Sequence, residues 1–312
     1  MFKKIGVTVV LLIFTIFLYV SCLRKDLTLT KAYIKEKYSS PNSHFIKWKG
    51  SEIHYTESGS GFPIVMIHGF GGGGYDFETL DSLLNHKYKI IRIDLPGFGL
   101  SDFPEEYKND DDFLKIYETF YTFLLDTLRI DSFYVVGNSL GGSMACDLTI
   151  HPPDKVKKLI LLNSAGYDMK ETLKTAHTEI FRLGIVKILL NRGMPYFMMK
   201  RGIDQLFYNP ANLSEKKSTI QNDMWNREGN LSQILAMANS DKYLDQRLIK
   251  TISCPTLIIW GRNDQIILPK NAERFYKDIK NSTLIMYDSC GHVPMIEKPI
   301  QVQHDIMEFL SR

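Results

Sequence analysis

Residues 135–142 read VVGNSLGG, a short apolar run that leads into a serine set between glycines. This pattern predicts a buried strand, a sharp turn and the first turn of a helix. Gly137 and Gly141 leave room for a strained turn, which would raise the hydroxyl of Ser139 above the edge of a sheet. A serine acts as a nucleophile only beside a base and beside donors for the oxyanion that forms. The stretch therefore predicts a nucleophilic Ser139, with the N–H of Leu140 at the helix start as one oxyanion donor.

Strand patterns on both sides of this turn place it in an alternating α/β chain. We expect eight strands, at residues 45–48, 53–56, 63–68, 89–94, 133–136, 156–163, 256–260 and 283–287. The run PIVMIH at 63–68 lacks polar alternation, which is typical of a strand inside a parallel sheet. Helical patterns fall between most of the strands. The predicted fold class is therefore α/β, with a mostly parallel eight-stranded sheet and helices on both faces.

A long interval without strand patterns interrupts this alternation. Between residues 168 and 252 only helical periodicity is present, for example in ILAMA at 234–238. The interval predicts a helical cap inserted into an α/β core that comprises residues 44–167 and 253–312.

Composition excludes several classes of protein. A chain of 312 residues with 44% hydrophobic content is typical of a packed globular protein. The net charge of +3 is small and dispersed, so no nucleic-acid partner is expected. Four cysteines, Cys22, Cys146, Cys254 and Cys290, are far apart and form no C-x-x-C pair, which argues against a disulfide framework and a zinc site. No metal and no cofactor are expected.

The first 25 residues differ in composition from the rest of the chain. Two lysines precede an uncharged run at 5–22, IGVTVVLLIFTIFLYVSC, whose helical length of about 27 Å nearly matches a bilayer core of about 30 Å. Residues 1–25 therefore predict a membrane segment, either a signal anchor or a lipoprotein signal that ends at Cys22. The residues before Cys22 resemble a bacterial lipobox except at Tyr19. We expect membrane association through this segment, a catalytic domain on the extracytoplasmic side, and a short helix or tether over 26–43.

A glycine-rich loop offers an alternative function. Residues 69–74, GFGGGG, follow a predicted strand, open a helix and satisfy the G-x-G-x-x-G pattern of dinucleotide-binding proteins. Asp94 ends the next strand, where a ribose-binding acid would lie, so a nicotinamide-dependent oxidoreductase is an alternative. The preceding His68, an antiparallel-looking hairpin and a second glycine turn after Asp94 argue against it. If Ser139 is instead the nucleophile of a hydrolase, the N–H of Phe70 joins that of Leu140 in an oxyanion hole, and Asp94 orders the loop that follows it.

The base and the acid must lie at the carboxyl ends of later strands, because only that edge faces the serine turn. Asp264 follows the strand at 256–260 in a glycine loop, and His292 follows the strand at 283–287. This gives the order serine, acid, histidine along the chain. Asp288 is a rival acid only four residues before His292. The Gly-x-x-Asp loop favours Asp264, because it gives the carboxylate the necessary reach.

Five motifs together resemble a known family over about residues 44–312. They are HGFGGGG at 68–74, DLPGFGLSD at 94–102, GNSLGG at 137–142, WGRNDQIILP at 260–269 and GHVPMIEKP at 291–299. The chain resembles an α/β-hydrolase of the serine-esterase branch, in particular bacterial lipase 3-type esterases and, more distantly, membrane-anchored monoacylglycerol lipases. The resemblance implies an α/β-hydrolase fold with an inserted cap and a triad of Ser139, Asp264 and His292. Haloalkane dehalogenases share the scaffold but carry aspartate at the position of Ser139, which argues against them.

The predicted function is a serine carboxylester hydrolase that forms an acyl-enzyme from acylglycerols or other medium-chain acyl esters. The apolar and adaptable Met194, Phe197 and Met198 of the cap are expected to contact the acyl chain. A carbon–carbon bond hydrolase or a peptidase with the same triad is the main alternative. A non-catalytic binding protein tethered to the membrane is a further alternative.

Overall fold

The computed structural model describes residues 26–110, 112–151, 154–167, 190, 192–238, 240 and 244–312. The predicted membrane segment at 1–25 lies outside the described residues, as does the predicted cap from 168 to 189. Within the described ranges, no helix is both long enough and apolar enough to cross a bilayer. Membrane association and an extracytoplasmic catalytic domain therefore stay predictions.

In the part of the chain that the structure describes, eight strands form a single sheet, in the order β1-β2-β4-β3-β5-β6-β7-β8. They are β1 (Ser43–Trp48), β2 (Ser51–Ser58), β3 (Pro63–Ile67), β4 (Lys89–Ile93), β5 (Phe133–Asn138), β6 (Val156–Leu162), β7 (Thr256–Gly261) and β8 (Ser282–Tyr287). Of these eight strands, β2 pairs antiparallel with β1 on one side and with β4 on the other, and the remaining pairs among the eight are parallel. The predicted mostly parallel eight-stranded sheet is confirmed.

Ten α-helices lie within the described ranges. They are α1 (Lys31–Tyr38), α2 (Glu78–Leu84), α3 (Phe113–Thr127), α4 (Leu140–Ile150), α5 (Tyr196–Asp204), α6 (Glu215–Asn226), α7 (Asn230–Met237), α8 (Lys270–Asp278), α9 (Pro294–Glu297) and α10 (Pro299–Ser311). Helices α5, α6 and α7 fall in the interval predicted as the cap. The two strands that flank this interval, β6 and β7, are direct neighbours in the sheet.

Each face of the sheet carries its own apolar core, because successive side chains of a strand point to opposite faces. Val65 and Ile67 of β3 pack with α3, α4 and α8 on one face. Ile64 and Met66 of the same strand pack with α2 and α10 on the other. This two-sided burial explains why β3 has no polar positions. Each fully buried side chain of this size contributes about 1.5–3 kcal/mol to folding.

The segment predicted as a short helix or tether is packed against the rest of the chain. Thr30 caps the start of α1, since its side chain accepts a hydrogen bond from the N–H of Tyr33. Ile34 is fully buried in a small apolar cluster with residues of the core and of α6. An ion pair joins Lys31 to Asp102 of the core at 3.0 Å. The segment is therefore part of the folded unit rather than a free linker.

Candidate active site

Ser139 lies at the turn between β5 and α4 in a rare backbone conformation, with φ 53° and ψ −120°. Such a conformation costs a non-glycine residue on the order of 1–3 kcal/mol, so neighbouring contacts must hold it. The Ser139 N–H donates to the carbonyl of Leu162 at 3.1 Å, and the Ser139 carbonyl accepts from the N–H of Ala165 at 2.8 Å and of Gly142 at 2.9 Å. These bonds fix the turn against the end of β6.

The flanking glycines are required by close packing. A Cβ atom at Gly141 would collide with the carbonyl oxygen of Ile67 at the end of β3. A Cβ atom at Gly137 would collide with the carbonyl of Gly141 itself. At both glycines that flank Ser139, another part of the backbone therefore lies too close to leave room for a side chain.

His292 and Asp264 form a buried pair. His292 Nδ1 lies 2.8 Å from Asp264 Oδ2, and the two residues are 4% and 2% exposed. The other carboxylate oxygen, Oδ1, accepts the backbone N–H groups of Ile266 at 2.8 Å and Ile267 at 3.0 Å. Since a carboxylate oxygen accepts the hydrogen bond, the proton of a neutral His292 belongs on Nδ1, and Nε2 is left as an acceptor.

The rival acid Asp288 lies elsewhere. Its Oδ1 pairs with Nε of Arg262 at 2.9 Å, and its side chain is 87% exposed. Among the described residues, the acid that contacts His292 is Asp264. The structure therefore brings together Asp264 and His292, and it leaves Asp288 in solvent.

Two buried asparagines of this region were not predicted from the sequence. Asn163, just after β6, donates from Nδ2 to Asp264 Oδ2 at 2.6 Å and to the carbonyl of Gly291 at 3.2 Å. Asn138, the last residue of β5, donates from Nδ2 to the carbonyl of His292 at 3.1 Å. A polar residue that ends an apolar parallel strand is the signal that could have indicated both. The two side chains tie the histidine and aspartate loops to the strands beside Ser139.

Two backbone N–H groups are positioned beside the serine. A Cβ atom built on Gly69 would lie 3.1 Å from the Cβ of Ser139, so the glycine loop passes directly next to it. In the described part of the chain, the N–H groups of Phe70 and Leu140 make no hydrogen bond. Leu140 is the first residue of α4, where N–H groups lack a partner within the helix. Both groups can therefore donate to a bound oxygen atom.

A cavity of about 230 Å³ contains Ser139 and His292 in its wall, together with Phe70 and Leu140. Most of the wall is apolar. Its apolar residues belong to two apolar clusters: Phe113, Met144, Met237, Leu244 and Ile267 to one, and Ile203, Leu206, Phe207, Leu213, Val293 and Ile296 to the other. The cavity thus surrounds the serine hydroxyl with hydrocarbon from both the predicted core and the interval predicted as the cap.

One region of the wall is polar. It is formed by Tyr75, Asp76, Lys217 and Gln221. The ammonium group of Lys217 is buried and has no hydrogen-bond partner within the described residues. Burial lowers the pKa of Lys217 and raises the pKa of Asp76, and the opposite charges of the two groups counteract both shifts.

The three predicted substrate contacts lie away from this cavity, which corrects the sequence-based interpretation. Met194 is 1% exposed within the apolar packing of the cap, and its N–H donates to Asn226. Phe197 and Met198 are 72% and 39% exposed on the first turn of α5. The phase of α5 explains this placement, because the helix turns its later residue Ile203 toward the cavity.

Asp94 orders the loops around the glycine turn. Its Oδ1 accepts the N–H of Gly74 at 2.6 Å, and its Oδ2 accepts the N–H of Leu100 at 2.8 Å. Burial disfavours its charge, but the charge and hydrogen bond of His54 outweigh this effect and lower the pKa of Asp94 to about 2. This is the structural role that the hydrolase interpretation predicts, rather than a ribose-binding role.

His68 joins the same loops from the other side. Its Nε2 accepts the N–H of Leu95 at 3.0 Å, and its Nδ1 donates to the carbonyl of Gly69 at 2.7 Å. Burial lowers the pKa of His68, in agreement with a neutral ring that donates once and accepts once.

Comparisons with known proteins agree with this architecture. A family model for the α/β-hydrolase fold matches residues 63–189 and 198–299. Lipase 1 of Psychrobacter immobilis is 30% identical over 259 residues, which are 80% of this chain and 77% of that protein. The 2-hydroxy-6-oxo-6-(2'-aminophenyl)hexa-2,4-dienoic acid hydrolase of Metapseudomonas resinovorans is 26% identical over 291 residues, which are 89% of this chain and 94% of that protein.

A solved structure gives the same result for the fold. The meta-cleavage product hydrolase from Pseudomonas fluorescens IP01 superposes with a TM-score of 0.73 at 23% identity. The match covers 86% of this chain and 97% of that chain.

Proposed function

Since this chain belongs to the α/β-hydrolase family, we propose that it is a serine carboxylester hydrolase that works through an acyl-enzyme. The observation that carries the proposal is the buried pair of His292 and Asp264, at 2.8 Å, with His292 in the wall of the same cavity as the partly exposed Ser139. A histidine held in this tautomer can accept the proton of a serine hydroxyl. Acyl transfer also requires stabilisation of the oxyanion, which the backbone N–H groups beside Ser139 can provide.

The reaction follows from these positions. Nε2 of His292 removes the proton from Ser139 Oγ as the oxygen attacks the ester carbonyl. The N–H groups of Phe70 and Leu140 hold the oxyanion, and Asp264 stabilises the imidazolium. His292 then gives its proton to the departing alcohol, which leaves an acyl-Ser139. Water, activated by the same histidine, releases the carboxylic acid and restores the serine.

The cavity supports a substrate with one acyl chain. Its wall is mostly apolar, which suits a hydrocarbon chain next to Ser139. Its volume of about 230 Å³ is below the roughly 300–1,000 Å³ of pockets that take drug-sized ligands. We infer that esters with a single chain fit better than triacylglycerols do.

A substrate series tests this proposal. We expect kcat/KM on p-nitrophenyl esters to rise from acetate to medium-length chains and then to level off, because each buried methylene adds up to about 0.8 kcal/mol of binding. Monoacylglycerols should be hydrolysed faster than triacylglycerols. If kcat/KM were highest on acetate and no glycerolipid were hydrolysed, the proposed lipid substrate would be wrong. The protein would then be an esterase of small esters.

A carbon–carbon bond hydrolase is the second candidate, because a relative named for a dienoic acid substrate matches 89% of the chain. It would use the same Ser139 and His292. The loss of absorbance of a 2-hydroxy-6-oxohexadienoic acid reports this reaction directly. Cleavage of that compound without hydrolysis of any ester would replace the first proposal by the second.

The polar region of the cavity supports an alcohol part that carries a hydroxyl group. The buried ammonium of Lys217 needs an acceptor, and the carboxylate of Asp76 can accept a further hydrogen bond. A hydroxyl group placed between them would accept from Lys217 and donate to Asp76. An anionic group would be less favourable here, because the carboxylate of Asp76 would repel it. We therefore propose that the glycerol part of a monoacylglycerol binds here.

Replacing Lys217 with methionine should separate two kinds of substrate. We expect kcat/KM on a monoacylglycerol to fall about 10-fold, the scale of one hydrogen bond to a charged group, because the glycerol hydroxyl loses its donor. The p-nitrophenyl ester of the same acid has no such hydroxyl, so its kcat/KM should stay unchanged. Lys216→Met, on the exposed side of α6, is the matched control. Equal losses on both substrates would contradict a hydroxyl-binding role.

A further inference from the structure

The cap holds the glycine loop that contains the proposed oxyanion donor, the N–H of Phe70. The carbonyl oxygen of Gly71 accepts a hydrogen bond from Nε1 of Trp225 at 2.7 Å. It accepts a second hydrogen bond from Nε2 of Gln221. Gln221 and Trp225 are four residues apart on α6, so they lie on the same face of this helix. The carbonyl of Gly71 thus accepts hydrogen bonds from two side chains of α6.

This carbonyl is close to the chemistry. Gly71 follows Phe70, whose N–H is the proposed oxyanion donor, and has a φ of +72°. The turn is closed by the N–H of Gly72, which donates to the carbonyl of Gly69 at 3.1 Å. A Cβ atom at Gly71 would run into the indole ring of Trp225, so the ring also packs against this turn. Because the turn is short, the orientation of the Gly71 carbonyl constrains the orientation of the Phe70 N–H.

Helix α6 is itself held by the N-terminal segment. Asp223 Oδ2 accepts from Nζ of Lys37 at 2.8 Å and from the hydroxyl of Tyr38 at 2.6 Å. The N–H of Leu29 donates to the carbonyl of Asn226 at 2.8 Å. Asp223 is 8% exposed, whereas the side chain of Lys37 is 38% exposed, so these contacts are shielded from water on the side of Asp223. A continuous series of contacts therefore runs from residues 29–38 through α6 to Gly71.

We propose that Gln221 and Trp225 are positioning residues, which orient the oxyanion loop through the carbonyl of Gly71, and that the N-terminal segment supports them through Asp223. This inference rests on the proposed use of the Phe70 N–H in a serine hydrolase reaction. Oxyanion donors act mainly on the transition state. A misplaced donor should therefore lower kcat and leave KM almost unchanged.

The test is Trp225→Phe, which removes the indole donor and keeps an aromatic ring. In the full-length chain we expect kcat on a p-nitrophenyl ester to fall about 10-fold, less than the roughly 10²–10³-fold typical when an oxyanion donor is deleted. KM should change less than about twofold. The inhibition constant of a trifluoromethyl ketone, which forms a tetrahedral adduct with the serine, should rise in proportion to the loss of kcat. An unchanged kcat and inhibition constant would overturn the inference.

Trp48→Phe is the matched control. Trp48 is a buried tryptophan of β1 that packs on Phe120 with ring centroids 5.3 Å apart, away from the cavity. We expect this control to lower the melting temperature without changing kcat. If both variants lowered Tm and kcat together, the effect of Trp225 would be one of general stability, and the positioning role would be excluded.

Asp223→Asn tests the support from the N-terminal segment. We expect a smaller loss with the same signature, a lower kcat at constant KM. A loss of Tm alone would exclude this part of the inference. If the wild-type chain hydrolysed no ester, the proposed function would fail, but the rate at which a fluorophosphonate labels Ser139 would still report on the oxyanion donors. Equal labelling rates in wild type and Trp225→Phe would then overturn the positioning role separately.

Discussion

Replacing Ser139 with alanine is expected to abolish ester hydrolysis and to leave the chain folded. The hydroxyl is the attacking atom in the proposed reaction and contributes little to packing, since Ser139 lies partly exposed in the cavity. Removing one member of a triad that acts as a unit costs about 10³-fold or more in kcat. Alanine must adopt the same positive φ as serine, so the strain of the turn should be unchanged.

The measurement is kcat/KM on a p-nitrophenyl ester, with circular dichroism and Tm to check the fold. Ser232→Ala, at an exposed position of α7, is the matched control and should behave as wild type. Activity in Ser139→Ala that equals that of the control would remove Ser139 as the nucleophile and, with it, the acyl-enzyme.

Replacing Asp264 with asparagine is expected to lower kcat by about 10⁴-fold. The carboxylate now accepts the Nδ1 proton of His292 at 2.8 Å, whereas an amide group in its place would favour the wrong tautomer. The amide would also disturb the acceptor site that binds the N–H groups of Ile266 and Ile267. A kcat that stays within about tenfold of wild type would contradict this role.

Asp288→Asn provides the comparison within the same assay. Its carboxylate is exposed and pairs only with Arg262 among the described residues. An exposed ion pair contributes about 0–1 kcal/mol, so this variant should retain wild-type kcat and Tm. A large loss in Asp288→Asn with a small loss in Asp264→Asn would transfer the role of the acid to Asp288.

Much of the core was predictable because local patterns and a topological rule act together. The apolar run before Ser139 and its glycines indicated the strand, the turn and the helix start. The carboxyl ends of neighbouring parallel strands meet at one edge, which is why loops distant in sequence, those of Asp264 and His292, could be placed near one another. The pairing of these two residues is therefore a consequence of strand order.

The cap contacts were not predictable, because they depend on how helices pack across the cavity. Composition indicated an adaptable apolar run that includes Phe197 and Met198, but the rotation of α5 decides which residues turn inward. That rotation is set by tertiary packing rather than by the local sequence. The wall of the cavity is instead formed by later residues such as Leu206 and Phe207.

The structure of the N-terminal segment could likewise not be predicted from its own sequence. Residues 26–43 are polar in composition, which favours a linker. Their order comes from partners far away in sequence, such as Asp102 and Asp223, and from the single buried Ile34. A pattern within the segment cannot identify partners that only the folded chain supplies.

The position of the cap between two adjacent strands affects how the chain assembles. Strands β6 and β7 pair directly, although residues 163–255 separate them in the sequence. The entropy lost in closing such a connection grows only logarithmically with its length, by about 0.6 kcal/mol for each doubling, so a large insertion costs little equilibrium stability. During synthesis, however, Ser139 emerges from the ribosome well before Asp264 and His292. The residues of the strained turn are therefore synthesised early. Asp264 and His292 become available to Ser139 only after the entire insertion has been translated.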